Sequence, residues 1–272
     1  MKVSIIVAVY KDIKALSLVL DSLKNQTYKN FEVVIVEDGC SKEMQNFIQD
    51  ITDLEVKHTT QEDFGVRKAR SQNNGILASG GEYLIFIDGD CLLYSSFIEG
   101  HVKLAKNGFV LSGRRLNLNQ KLTTQLRDDS ISSLDIEKNL LWKYIYLAFD
   151  KNSRFEQGIR IAPESWIYKT FIDKRERNTS ILGCNFSCFK KDMLAINGFD
   201  ESYGESAVSD DMDLDWRFRA YGLQLKSCKN VANMMHLFHK AHDRGDASKQ
   251  VSLMRKREAQ GKYICTDGLN TH

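Results

Sequence analysis

Runs of β-branched and apolar residues recur over the first 90 residues with amphipathic segments between them, and few folds satisfy such a pattern. "VSIIVAV" (3–9), "FEVVIVED" (31–38) and "EYLIFID" (82–88) read as strands that are apolar on both faces, and "LEVKHT" (54–59) as a shorter one. Residues 13–25, with Ile13, Leu16, Leu20 and Leu23 at helical spacing, and residues 41–50 and 66–78 read as the helices between them. Strands without a polar face need cover on both sides, so the alternation predicts an α/β fold with a mainly parallel sheet flanked by helices. Ligands of such sheets sit beyond the carboxyl ends of the strands. Tyr10, Asp38 and Asp88 fall at or just past three of those ends, so the chemistry is expected on that rim.

After residue 91 the alternation weakens. Residues 95–106 read as helix, 108–118 as a strand, 121–150 as mainly helical, and 151–180 as a mixed basic stretch holding the only proline, Pro163. A further strand is expected within 180–191 and a helix over 211–222, ending at Gly222. The expected organisation is one catalytic domain over 1–240, made of a nucleotide-binding half (1–118), a helical and basic insertion (119–180) and an acceptor-side half (181–240). A basic tail, 241–272, would follow. From Lys226 to Lys262 there are nine Lys or Arg and three Asp or Glu, which suits either a solvated helical tail or a surface that meets anionic lipid.

Composition closes off several classes. A net charge of +2 argues against a dedicated nucleic-acid binder. No stretch approaches the roughly 20 apolar residues of a spanning helix, and the first residues lack the pattern of a secretory leader. The six cysteines are scattered without a C-x-x-C, which suits free thiols in a reducing compartment. The expected location is the cytoplasm, with contact at the inner face of the cell membrane left open. Neither a glycine-rich dinucleotide fingerprint nor a P-loop occurs.

Asp88-Gly89-Asp90 ends a buried strand with two like charges. Residues two apart in extended chain point the same way, and two such carboxylates repel unless a cation lies between them. A divalent ion, Mn2+ or Mg2+, binding phosphate oxygens as well, resolves the conflict; a solvated Asp-Gly turn is the plainer alternative. "SDDMDLDW" brings Asp210, Asp211, Asp213 and Asp215 to the start of a helix, where the dipole favours acids and where one can serve as a general base. His236, His239 and His242, three apart, would line one face of a helix, and one of them could join the ion at Asp90. Arg67, Lys68 and Arg70 offer phosphate contacts or simply a solvated helix face.

Taken in order, "SIIVAVYKD", "VVIVEDG", "VRKARSQNNGILASGGEYLIFIDGDC", "LGCNFSCFKKDMLAINGFDE", "DDMDLDWRFRAYG" and "HLFH" resemble the family 2 glycosyltransferases of GT-A fold, in particular those with a galactosyltransferase-like C-terminal segment. The resemblance covers about 1–118 and 180–240 and implies a Rossmann-like GT-A domain. By position it implies that Ala8, Tyr10 and Asp38 hold the donor's base and ribose, that Arg70 lies near the donor, and that Asp88 and Asp90 form the D-x-D motif. Asp90 is the expected metal ligand, with Asp88 beside it and His236, or His239 in another register, completing the set. Asp211 matches the catalytic base, and Asp210, Gly183 and Asn185 the acceptor side. The chain departs from the family pattern at Glu37, Cys40 and Asp210, and its loop "YGESAVSDD" lacks the usual Gly-Trp-Gly. The implied reaction is metal-dependent, inverting transfer of a sugar from a nucleotide-diphosphate donor, expected to be a UDP-sugar, to a hydroxyl of a bacterial-type glycan or lipid-linked acceptor. Two other classes compete: a haloacid-dehalogenase-like phosphatase, whose Asp-x-Asp sits on the first strand, and a non-catalytic protein that binds a nucleotide or a partner.

Overall fold

The computed structural model describes residues 1–173, 179–204, 208, 211–240 and 246–272. Strands β1 (Val3–Val9), β2 (Phe31–Glu37), β3 (Val56–Thr59) and β4 (Tyr83–Asp88) alternate with helices α1 (Ile13–Lys24), α2 (Lys42–Gln49) and α3 (Lys68–Ala78). Then follow β5 (Cys91–Leu93), α4 (Phe97–Leu104), β6 (Phe109–Ser112), β7 (Leu116–Asn117), α5 (Gln120–Arg127) and α6 (Ser133–Asn139). The last elements are β8 (Asn185–Phe189), α7 (Lys190–Ala195), α8 (Met212–Ala220), β9 (Gln224–Ser227), β10 (Met234–His236) and α9 (Ser248–Ala259).

A seven-stranded sheet runs in the order β3-β2-β1-β4-β8-β6-β9. β8 runs against β4 and β6, and the other pairings in this sheet are parallel. This is the mixed, mainly parallel α/β architecture expected. Period 2 divides the strand residues between two cores. Val3, Ile5, Val7, Val33, Ile35, Ile85 and Ile87 face α1, α2 and α4, whereas Ile6, Val34, Val36, Leu84 and Phe86 face α3, α7 and α8. Gly75 on α3 permits that close packing, because a Cβ there would lie 2.5 Å from Val36 Cγ1.

Two expectations of local structure are corrected. The strand foreseen over 108–118 divides at residues 113–115 into β6 in the large sheet and β7 in a second, three-stranded sheet, β5-β10-β7. Gly113 marks the division, since a Cβ there would lie 2.3 Å from Asn185 Nδ2. His236 ends strand β10 rather than lying on a helix face. The basic C-terminal segment is packed on the domain. Met254 of α9 meets Tyr203 and Trp216, Arg257 pairs with Asp200, and Leu269 joins the core under α7 and α8.

Candidate functional site

β1, β2 and β4 end level with one another: Ala8 pairs with Val36 on one side and Asp88 on the other. Tyr10, Asp38 and Asp88 therefore emerge on one rim, as the strand pattern implied. Tyr10 is half exposed (51%), and Lys11 Nζ donates to its hydroxyl at 2.6 Å. A cleft opens here, lined by Tyr10, Lys11, Gly39, Cys40, Ser41 and Asp63. Asp38 is engaged within the protein. Its Oδ1 accepts from Gln61 Nε2 at 2.6 Å and its Oδ2 from the backbone N–H of Arg67 at 2.7 Å. The departures at Glu37 and Cys40 have different weights: Glu37 is buried, accepting from Ser41 N–H at 2.8 Å and lying 3.0 Å from His58 Nε2, while Cys40 is exposed.

The two aspartates of the D-x-D part company. Asp88 ends β4, and its Oδ1 lies 2.7 Å from Lys68 Nζ at the start of α3. The chain then turns at Gly89 and enters the second sheet. A side chain at Gly89 would sit 2.7 Å from Val9 Cγ1 and 3.0 Å from the Ala8 carbonyl, so this turn requires glycine's missing Cβ. Antiparallel pairing of β5 with β10 sets His236 opposite Cys91, and Leu237 N–H donates to the Asp90 carbonyl at 3.1 Å. Asp90 thereby meets two imidazoles, with Oδ2 3.2 Å from His236 Nε2 and 3.5 Å from His239 Nε2. The three ligand atoms lie within 4.8 Å of one another. Asp88 stands outside this group, contrary to the expectation that both carboxylates share one ion. His236 and His239 both belong to it, where one histidine had been expected.

The trio brings together ligand types that a divalent ion can take, one carboxylate and two imidazoles. His239 Nδ1 lies 2.9 Å from the Lys240 carbonyl, which can only accept, so Nδ1 carries a proton and Nε2 is the atom turned toward Asp90. Burial works against the Asp90 charge, but the His236 hydrogen bond and the nearby His239 and Arg115 outweigh it and hold its carboxyl below the usual range.

Asp211 opens α8, and its Oδ1 accepts from the backbone N–H of Gly183, so two of the expected acceptor-side and catalytic residues meet directly. Asp210 and His242 lie outside the described residues. The other aspartates of the cluster are explained by structure. Asp213 is buried and accepts from Tyr203 Oη at 2.8 Å, Trp216 Nε1 at 2.9 Å and Arg217 Nη1 at 3.0 Å. Asp215 accepts from Ile181 N–H at 3.1 Å and Arg219 Nε at 2.6 Å, tying α8 to the loop before β8. Asn185 needs correction as an acceptor contact. It is fully buried, donating to the Arg114 and Ala232 carbonyls at 2.9 and 3.2 Å and meeting His101 Nε2 at 3.1 Å. Arg70 likewise faces Glu201, at 3.2 Å, rather than the D-x-D carboxylates. The basic group that does meet Asp88 is Lys68, two residues earlier; reading α3 from its first residue would have singled it out.

Comparison with known proteins places the chain in a family and its fold among solved structures. Residues 4–189 match the family described as Glycosyl transferase family 2, and residues 168–240 match one described as N-terminal domain of galactosyltransferase. An uncharacterized glycosyltransferase of Rickettsia bellii is 33% identical over 113 residues, which is 41% of this chain and 16% of that protein, so the matched segment spans about a sixth of its relative. The fold superposes on residues 1–349 of Staphylococcus aureus TarS, solved in complex with UDP-GlcNAc (TM-score 0.61, 14% identity, 100% of this chain and 69% of that one). It also superposes on the mannosyltransferase PcManGT of Pyrobaculum calidifontis, solved with GDP-Man and Mn2+ (TM-score 0.57, 15% identity, 96% and 62%). With its fold shared by GT-A enzymes and the family match running through β8, the chain belongs to glycosyl transferase family 2.

Proposed function

We propose that the chain is an inverting glycosyltransferase that uses a divalent ion and a nucleotide-diphosphate sugar, a UDP-sugar by resemblance, to glycosylate a hydroxyl of a glycan or lipid-linked acceptor. The observation that carries the reading is the meeting of Asp90, His236 and His239 on the rim where β1, β2 and β4 end. A carboxylate with two imidazoles fits a first-row divalent ion such as Mn2+ better than Mg2+, which prefers oxygen ligands. Bound there, such an ion supplies positive charge to the departing diphosphate.

The protein's own groups do the remainder. The cleft beside Tyr10 and Gly39 suits the nucleoside, flat and half polar, with Asp38 fixing the cleft wall through Gln61 and the Arg67 backbone. Lys68 neutralises Asp88, so this second carboxylate does not repel the incoming phosphates. Asp211, aimed by the Gly183 N–H, takes the proton of the acceptor hydroxyl as its oxygen attacks the anomeric carbon. One base and one displacement on the face opposite the leaving group give inversion. Holding donor and acceptor in line supplies much of the rate.

Isothermal titration with UDP, with and without Mn2+, tests the donor side, and the anomeric configuration of the product by NMR tests the stereochemistry. Asp211→Asn is expected to keep UDP affinity within about twofold and lose transfer by roughly 100-fold or more, the range for removing a general base. Near-normal turnover in this variant takes Asp211 out of the mechanism. UDP binding that ignores Mn2+ overturns the metal role.

A further inference from the structure

One charged group beside the site has no assigned task. Arg115 lies in the crossing from β6 to β7, and the crossing is anchored at both ends. Gly113 packs against Asn185, whose Nδ2 holds the Arg114 carbonyl at 2.9 Å. Leu116 and Asn117 pair with Met235 and His236 of β10. Arg115 itself donates its backbone N–H to Gln157 Oε1 at 3.3 Å. Its half-buried side chain hydrogen-bonds through Nη1 to Cys184 Sγ at 3.3 Å, a weak acceptor for one of five guanidinium N–H groups.

Neighbouring arginines are spent differently. Arg114 donates to Gly113 O, Ser112 Oγ and Ser180 O. Arg127 makes a two-pronged pair with Asp12 at 2.5 and 3.0 Å. Arg217 is enclosed by Asp213, Tyr263 O and Ile196 O. Among the described residues Arg115 keeps a planar fork largely unspent, in a position fixed by two strands.

Its surroundings indicate what the fork meets. Cys184 follows Gly183, whose N–H holds Asp211. The positive charge of Arg115 is among the causes that hold the Asp90 carboxyl down. Through Cys184 the guanidinium is one residue of chain from the Asp211 contact at Gly183, and through the β7–β10 pairing the strand that follows it adjoins His236 of the Asp90 trio.

We propose that Arg115 is a catalytic residue that clamps the β-phosphate of a nucleoside-diphosphate donor and stabilises it as the leaving group. The inference rests on the transferase reading. In that reaction the bond between the anomeric carbon and a β-phosphate oxygen breaks and its electron pair stays on the phosphate. The acceptor oxygen bonds the anomeric carbon, and its proton goes to Asp211. A nucleoside-diphosphate sugar brings two negative charges and departs with a third. A divalent ion held by one carboxylate offers one net positive charge, and Lys68 is already matched to Asp88. The site is short of positive charge as the leaving group forms, and a preorganised bidentate guanidinium is the group that meets developing phosphate charge best.

Arg115→Gln and Arg115→Lys, checked for folding by thermal melting, are titrated with UDP, UMP and uridine in Mn2+. Arg115→Gln is expected to weaken UDP by roughly 10- to 100-fold, the range for losing hydrogen bonds to a charged group, and to leave UMP and uridine within about twofold. Arg115→Lys is expected to fall between, since it restores charge without the fork. Wild-type UDP affinity in Arg115→Gln overturns the proposal, as does an equal loss for UMP, or an effect confined to the KM of a phosphorylated acceptor. Asp90→Ala separates the two readings. Loss of Mn2+-dependent UDP binding there, with Arg115→Gln unaffected, removes Arg115 and keeps the transferase; no UDP binding by the wild type removes both.

Discussion

At the scale of single residues, charge is kept where a partner is built for it. The Asp213–Arg217 pair is the clearest case, with both side chains almost fully enclosed (0% and 1% exposed). Asp213→Ala leaves that guanidinium buried without its counter-ion and is expected to cost about 3–5 kcal/mol, measured by urea unfolding; a change under 1 kcal/mol means that water enters to replace the carboxylate. Asp90 differs from Asp213 because its partners are imidazole nitrogens that can take a cation together with it. Gly89 separates Asp90 from Asp88. Gly89→Ala puts a methyl against Val9 and the Ala8 carbonyl and is expected to destabilise by about 1–3 kcal/mol and to weaken Mn2+-dependent UDP binding as Asp90 shifts. Unchanged stability and unchanged binding together show that Val9 gives way instead.

At the scale of elements, β1, β2 and β4 were legible because each is continuous, β-branched and bounded by polar residues, and their pairing then fixed the rim. The trio at Asp90 was only half legible. The sequence shows Asp90 and three histidines, but His236 reaches the aspartate through the β5–β10 register, a contact between residues almost 150 positions apart that no local pattern encodes. Asn185 misled for a related reason: a polar residue opening a strand looks like a contact until its amide is seen filled by Arg114, Ala232 and His101. Pairing between elements also makes a pH signature. Glu32 of β2 is buried at the edge of the parallel strands, where burial works against its charge. Hydrogen bonds from Ser4 Oγ (2.6 Å) and Gly80 N–H, with Lys57 and Lys2 at 3.1 and 3.2 Å, outweigh that and pull it down to about 2. A carboxylate held below its unfolded value near 4.3 contributes stability that is complete above that value and fades as the pH falls toward 2, on the order of 3 kcal/mol in all. Urea midpoints of the wild type and Glu32→Gln are expected to stand apart at pH 6 and converge near pH 2.5; a gap that ignores pH rules out the ionised carboxylate as its source.

At the scale of the whole molecule, the residues proposed for donor and for acceptor chemistry sit on different parts of one framework. Asp38, Asp88 and Asp90 hang on the parallel strands, while Asp211 begins α8, which β9 and the C-terminal segment hold in place. Charge counting along the sequence separated 241–272 as a tail, because the apolar residues that dock it are few and widely spaced: Met254 against Tyr203 and Trp216, then Leu269 in the core. One polar tie is Arg257, which reaches Asp200, a carboxylate only 2% exposed, and donates to Ser202 Oγ at 2.8 Å. Among the described residues, removing this arginine leaves Asp200 with its local bonds to Ser202. Arg257→Ala is therefore expected to cost about 2–4 kcal/mol, near the penalty for stranding one member of a buried pair, and to raise hydrogen exchange across α9 and the neighbouring turn at 201–203. Because those contacts lie on the side of the fold that carries Asp211 and not on the β1–β4 rim, Mn2+-dependent UDP affinity is expected to stay within about twofold while turnover falls. Equal losses in UDP affinity and turnover mean that the two halves unfold as one unit and that the C-terminal segment supports the donor site as much as the base.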